Sequence, residues 1–211
     1  ALVRWKHPER GMVSPGDFIP VAESTGLIIE LGDWILAEAA RHCAFWDSKG
    51  LGDFRVCINL SPLQFNQPNL EESVAAFLKD SGLAPERLEL ELTESAIMTD
   101  AEGNIKKLKE LKALGLALAV DDFGTGYSSL NYLKRFPIDT LKIDQSFVAD
   151  LASPDGEAIV DAILALSKTL ELQVIAEGVE TEEQTKYLAA RNCDLLQGYY
   201  FSRPIYPDDV P

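Results

Sequence analysis

Histidine is almost absent from this chain, with His7 and His42 as its only two. A zinc hydrolase of the His-x-x-x-His type is thereby excluded, because it needs two imidazoles one helical turn apart at the site. Cysteine is scarce too. Cys43, Cys57 and Cys193 are odd in number, far apart and without a Cys-x-x-Cys pair. Neither a disulfide framework nor a zinc knuckle is indicated, and buried free thiols in a reducing compartment are expected. Positive charge is the third shortage: 19 Lys and Arg face 34 Asp and Glu, a formal net charge of −15. Such a surface has no general attraction for DNA or RNA. A phosphate ligand would need a local cation to reverse the field. No apolar run is long enough to span a bilayer, and no segment has the layout of a signal peptide. The expectation is a cytoplasmic segment without membrane contact of its own, free or as the cytoplasmic portion of a larger membrane protein.

What is present suits one large domain over 1–211: 46% of the residues are hydrophobic and 25% charged, enough to bury a core. No linker or repeat divides it. Short apolar runs at 1–5, 55–60, 88–92, 116–121, 140–143, 173–176 and 194–196 read as strands. Most lack strict alternation, as parallel strands covered on both faces do. Between them lie helical patterns at 27–45, 70–79, 101–114, 128–135, 156–170 and 182–190. In the first of these, Ile28, Leu31, Trp34, Ile35 and Ala39 share a face, and the Trp34 stripe is expected in the core. Seven strands alternating with helices predict an α/β fold, either doubly wound or a barrel. One further strand before Ala1 would complete a (β/α)8 barrel, of which the N-terminal strand is missing here.

The polar residues fall at strand ends. Asn59 closes the second run, Glu91 the third with Thr93 and Glu94 after it, and Asp121-Asp122 the fourth. Lys142 and Asp144 end the fifth, Glu177 the sixth, and Gln197 follows the seventh. In a parallel barrel these ends converge on one face, where barrel enzymes place their chemistry. Carboxylates packed together cannot all stay ionised without a cation. Oxygen ligands select hard ions: magnesium, manganese or calcium. Adjacent Asp121 and Asp122 would let one carboxylate bridge two ions, an arrangement suited to in-line displacement at phosphorus. Any one of these acids, Asp144 and Glu180 included, could equally be a helix cap. The run from Asp122 to Ser129 looks like a glycine-rich phosphate cradle. It lacks the third glycine, and two aspartates precede it, so a loop tied to the metal site is the better reading.

The motifs Ala1-Leu2-Val3-Arg4-Trp5, Phe18-Ile19-Pro20, Ile58-Asn59-Leu60-Ser61 and Glu89-Leu90-Glu91-Leu92-Thr93-Glu94-Ser95 occur in order. They continue with Asp121-Asp122-Phe123-Gly124-Thr125-Gly126-Tyr127-Ser128-Ser129-Leu130, Leu141-Lys142-Ile143-Asp144, Ala176-Glu177-Gly178-Val179-Glu180-Thr181 and Gln197-Gly198-Tyr199. In this register the chain resembles the EAL-domain phosphodiesterases that hydrolyse cyclic di-GMP. The resemblance implies a modified (β/α)8 barrel and a product, linear pGpG. It implies Asn59, Glu91 and Asp121 as ligands of one metal, and Asp121, Asp122 and Glu177 as ligands of a second. Glu177 would be the general base, and Lys142 would hold the attacking water. Leu2, Arg4, Gln197 and Glu180 would lie on the substrate side, and Glu94 would anchor the 122–130 loop. Two Mg2+ or Mn2+ ions would support turnover and Ca2+ would inhibit it. A homodimer through helices near that loop is implied, as is fusion to sensory or GGDEF domains.

The sequence departs from the family at one point. The glutamate that names the family would stand immediately before Ala1. The expectation is that the sequence is cut from a longer chain that supplies it. The alternative is a cyclic di-GMP receptor that binds without cutting.

Overall fold

Leu88-Glu89-Leu90-Glu91-Leu92 alternates strictly, yet all five residues are buried. That pattern fits a strand covered on both faces, with leucines on one side and acids on the other. The computed structural model describes residues 1–52, 54–126 and 130–210. The chain forms two compact units, Ala1–Glu91 with Glu110–Ala117 and Leu92–Lys109 with Leu118–Pro211.

The first unit opens with β1 (Trp5–His7) and β2 (Gly11–Val13), which pair antiparallel. This corrects the expected run at 1–5: residues 1–4 carry no strand, and the strand that follows turns back on itself. The turn is local chemistry. His7 Nδ1 accepts from the backbone N–H groups of Glu9 and Arg10 at 3.1 and 3.2 Å. Gly11 then takes the left-handed φ of 72° that a side chain would resist. Next come α1 (Pro15–Thr25), capped by Ser14, α2 (Ile28–Ser48), β3 (Val56–Asn59), α3 (Pro62–Phe65), α4 (Leu70–Ser81) and β4 (Leu88–Thr93). β3 and β4 pair in parallel from Val56↔Leu88 to Asn59↔Glu91.

The buried face of α2 is Ile28, Gly32, Leu36, Ala39, Ala40 and Cys43. Trp34 stands 54% exposed, against expectation. At 100° per residue it lies about 200° round the helix from Gly32, so a face centred on Gly32 turns it outward. Gly32 is chosen by contact. A Cβ there would sit 1.7 Å from Gln64 Nε2, and the Gln64 side chain is held by a capping box with Ser61 at the start of α3.

The second unit contains α5 (Glu94–Met98), most of α6 (Ala101–Ala113) and β5 (Ala117–Phe123), then α7 (Leu130–Leu133) and β6 (Thr140–Ile143). It continues with α8 (Gln145–Ala149), α9 (Pro154–Thr169), β7 (Gln173–Ala176), α10 (Glu182–Ala190) and β8 (Leu195–Leu196). β6 pairs in parallel with β5 and with β7, and β7 with β8. Leu118, Val120, Leu141, Ile143, Val174 and Ala176 are buried in these strands. The six runs from 55–60 onward thus appear as β3 to β8, in the parallel α/β order expected. The 128–135 helical pattern is described from Leu130; residues 127–129 lie outside the described residues.

Gly32→Ala should destabilise the protein by about 1–3 kcal/mol through overpacking, read as a lower denaturation midpoint. An unchanged midpoint would show that Gln64 yields freely.

Candidate active site

The β5–β6–β7 ladder sets three charged side chains together in the second unit. Lys142, on β6, is 3% exposed. Its Nζ lies 3.0 Å from Asp121 Oδ1 on β5 and 2.7 Å from Glu177 Oε1 just after β7. Glu177 is fixed by its own N–H, which donates to Ile143 O at 3.1 Å and so extends the β6–β7 ladder by one residue. Burying a lysine is costly unless acids face it closely, and both distances meet that condition.

The β5–β6 register shifts between Val120 and Phe123. The irregularity contains Asp121 and Asp122, and Asp122 adopts a φ of 54°, an uncommon conformation that Asp and Asn tolerate better than most. Burial, then the carboxylates of Asp121 and Asp144, push the Asp122 carboxyl above its usual range; Lys142 opposes them. Asp144 itself caps α8, accepting from Ser146 N at 2.9 Å and from the Ser146 hydroxyl. Glu94, 2% exposed, accepts from Gly124 N at 2.8 Å. A Cβ on Gly126 would come within 2.7 Å of its Oε1. Thr93 caps the short helix that starts at Glu94.

In the first unit, the Asn59↔Glu91 pairing puts these two residues side by side at the strand ends. Cys57, Glu89 and Glu91 bring one ligand atom each to within 4.8 Å of one another. Glu89 pairs with Arg55 at 2.9 Å and accepts from the Cys57 thiol at 3.5 Å. Burial, then the carboxylates of Glu89 and Glu91, push that thiol up to about 12. Sequence reasoning passed over Glu89 and Cys57; the two-residue spacing from Glu91 and Asn59 was the available signal. All three cysteines are free, Cys43 buried and the other two half-buried. Leu2 and Arg4 are exposed and lie ahead of β1, with Arg4 Nη1 donating to Val3 O at 2.9 Å.

Gln197 follows β8, its N–H donating to Ala176 O at 2.9 Å. Glu180 is exposed, and its N–H donates to Gln184 Oε1 at 2.7 Å. Thr181 and Gln184 form the capping box of α10.

Asp121, Asp122 and Glu177 offer hard oxygen donors against one ammonium group. Burial first, and the neighbouring carboxylates second, disfavour the ionised Asp122 carboxyl. That donor set fits a hard divalent cation. The Cys57 thiol, a soft donor, does not.

The EAL domain family model matches residues 1–204. The bifunctional diguanylate cyclase/cyclic di-GMP phosphodiesterase MucR of Pseudomonas aeruginosa is 48% identical over 206 residues, 97% of this chain and 30% of the relative. The cyclic di-GMP phosphodiesterase PdeR of Escherichia coli is 40% identical, over 97% of this chain and 31% of the relative. The chain thus spans about a third of the length of these curated relatives. The solved PaMucR phosphodiesterase in its c-di-GMP complex covers 100% of this chain and 85% of its own, with a TM-score of 0.97 and 46% identity. The fold is therefore the α/β, modified (β/α)8 type expected.

Asp122→Asn tests the cost of burying an ionised carboxylate beside Asp121 and Asp144. An acid whose pKa is raised by folding costs stability once it ionises, so the cost grows as pH rises above the ordinary carboxylate range and vanishes on acidification. Asn removes the charge and suits the φ of 54°. The metal-free variant should unfold at a higher temperature than wild type at pH 7, with the gap closing toward pH 4. A lower midpoint at pH 7 would contradict this.

Proposed function

Because the chain belongs to the EAL domain family, we propose that it hydrolyses one phosphodiester of cyclic di-GMP to linear 5'-pGpG, as one EAL domain spanning both units. The observation that carries this reading is Lys142 Nζ held between Asp121 and Glu177.

In this account Asn59, Glu91 and Asp121 would hold one divalent ion, and Asp121, Asp122 and Glu177 a second. Magnesium or manganese there would neutralise the phosphate and lower the pKa of water. The protein's own groups do the rest. Lys142 orients the attacking water by donating to its oxygen. Glu177 accepts the water's proton as the O–P bond forms. The P–O3' bond breaks, and the leaving oxygen takes up a proton to become the free 3'-hydroxyl of pGpG. Leu2, Arg4, Gln197 and Glu180 contact the substrate. Glu94 anchors the 122–130 loop, which couples activity to a homodimer. Calcium would inhibit, because it takes more oxygen ligands in a looser arrangement. The domain works in the cytoplasm, fused to GGDEF or sensory domains.

Two variants test the mechanism in magnesium. Glu177→Ala should lose about 10²–10⁴-fold in turnover, the range for a general base. Lys142→Ala should lose about 10²–10³-fold, as for other groups that stabilise developing charge. Both should still bind cyclic di-GMP by calorimetry. A fully active Glu177→Ala protein sinks the mechanism. Tight binding by wild type without product, in magnesium and in manganese, makes the domain a receptor.

A further inference from the structure

The short helix α8 lies against both turns that carry acids of the site. A Cβ on Gly178, the residue after Glu177, would lie 2.5 Å from Gln145 Cβ. A Cβ on Gly124, two residues after Asp122, would lie 2.8 Å from Phe147 Cε2, 3.2 Å from Phe147 Cζ and 3.4 Å from Ile163 Cδ1. The two glycines have left-handed φ values of 69° and 99°, so each approach depends on a bare Cα. The helix is itself fixed. Asp144 caps its start, Val148 is fully buried, and Val148 O accepts from Gln184 Nε2 at 3.0 Å.

An apolar contact is ordinarily packing and nothing more. This one falls where packing controls a charge. Asp122 has a φ of 54°, and a non-glycine residue keeps such a conformation only where its surroundings hold it. The turn after it is held at Gly124 by two contacts. Its N–H donates to Glu94 Oε2 at 2.8 Å, and the edge of the Phe147 ring fills the space beside its Cα. One hydrogen bond alone leaves the turn free to pivot about it; the ring removes that freedom. Phe147 is only half-buried, so the contact is its main engagement on that edge and not one of many in a core. We propose that Phe147 is a positioning residue: its ring seats the Gly124 turn and so holds the Asp122 carboxylate where it reaches a cation shared with Asp121 and Glu177. The inference rests on the cation reading above. It adds a residue that touches neither metal nor substrate.

The test titrates metal-free protein with manganese and follows the free ion by electron paramagnetic resonance, with no substrate present. Phe147→Met keeps a flexible apolar group of similar reach, whereas Phe147→Leu and Phe147→Ala leave the ring edge's place empty. Wild type and Phe147→Met should bind manganese alike. Phe147→Ala should bind about 10–100-fold more weakly, the range for residues that orient a metal ligand, with Phe147→Leu between. In an Asp122→Asn background Phe147→Ala should cost nothing further, because the carboxylate it places is gone. A Phe147→Ala affinity within twofold of wild type, or an equal loss in both backgrounds, overturns the positioning role and leaves the cation reading intact. Wild type that binds no manganese, or Asp122→Asn that binds it as tightly as wild type, rejects Asp122 as a ligand and the proposal with it. If Phe147→Ala does not fold, Phe147→Leu against Phe147→Met decides: equal affinities overturn the proposal.

Discussion

A lysine ammonium held out of water between two carboxylates is the interaction on which the second unit's chemistry depends. Lys142 gains nothing in stability that a well-packed apolar side chain could not supply, because dehydrating an ion pair costs about as much as the attraction returns. Its presence marks a position where charge is used. The three parallel strands β5, β6 and β7 turn that local chemistry into geometry: they end level at Phe123, Ile143 and Ala176, with Asp121 on β5, Lys142 on β6 and Glu177 just after β7.

Around that group the backbone departs from regularity in ways that point side chains. The register shift in β5 brings two successive aspartates to the strand end with Asp122 at positive φ, where a regular strand would send them to opposite faces. Glu94 ties the next turn through Gly124 N. Gly198 lets the segments after β7 and β8 cross at backbone contact. Strain, a buried anchor and a glycine crossing all occur within a few residues of the acids they position.

Strand order and strand-end chemistry were legible in the sequence, because apolar runs of three to six residues, most of them closed or followed by an acid or amide, carry both signals at once. The antiparallel turn at Trp5–Val13 was not, since it is set by the His7 imidazole and by Gly11, not by hydrophobic period. The outward Trp34 was misread because a large apolar residue dominates a stripe, whereas the buried face of α2 is built from small residues. The short helices α3, α5 and α8 were missed because four or five residues show no period; their Ser61, Thr93 and Asp144 caps were the readable sign. Glu89 and Cys57 were not read as possible ligands, because one acid or thiol two residues before a candidate ligand looks like ordinary strand composition.

The central claim is that Asp121, Asp122 and Glu177 would hold a hard cation beside Lys142. Anomalous X-ray scattering from manganese-soaked crystals tests it most directly. A peak should appear against the carboxylates of Asp121, Asp122 and Glu177. No peak at these carboxylates, or manganese bound instead by Cys57, Glu89 and Glu91, would contradict the account.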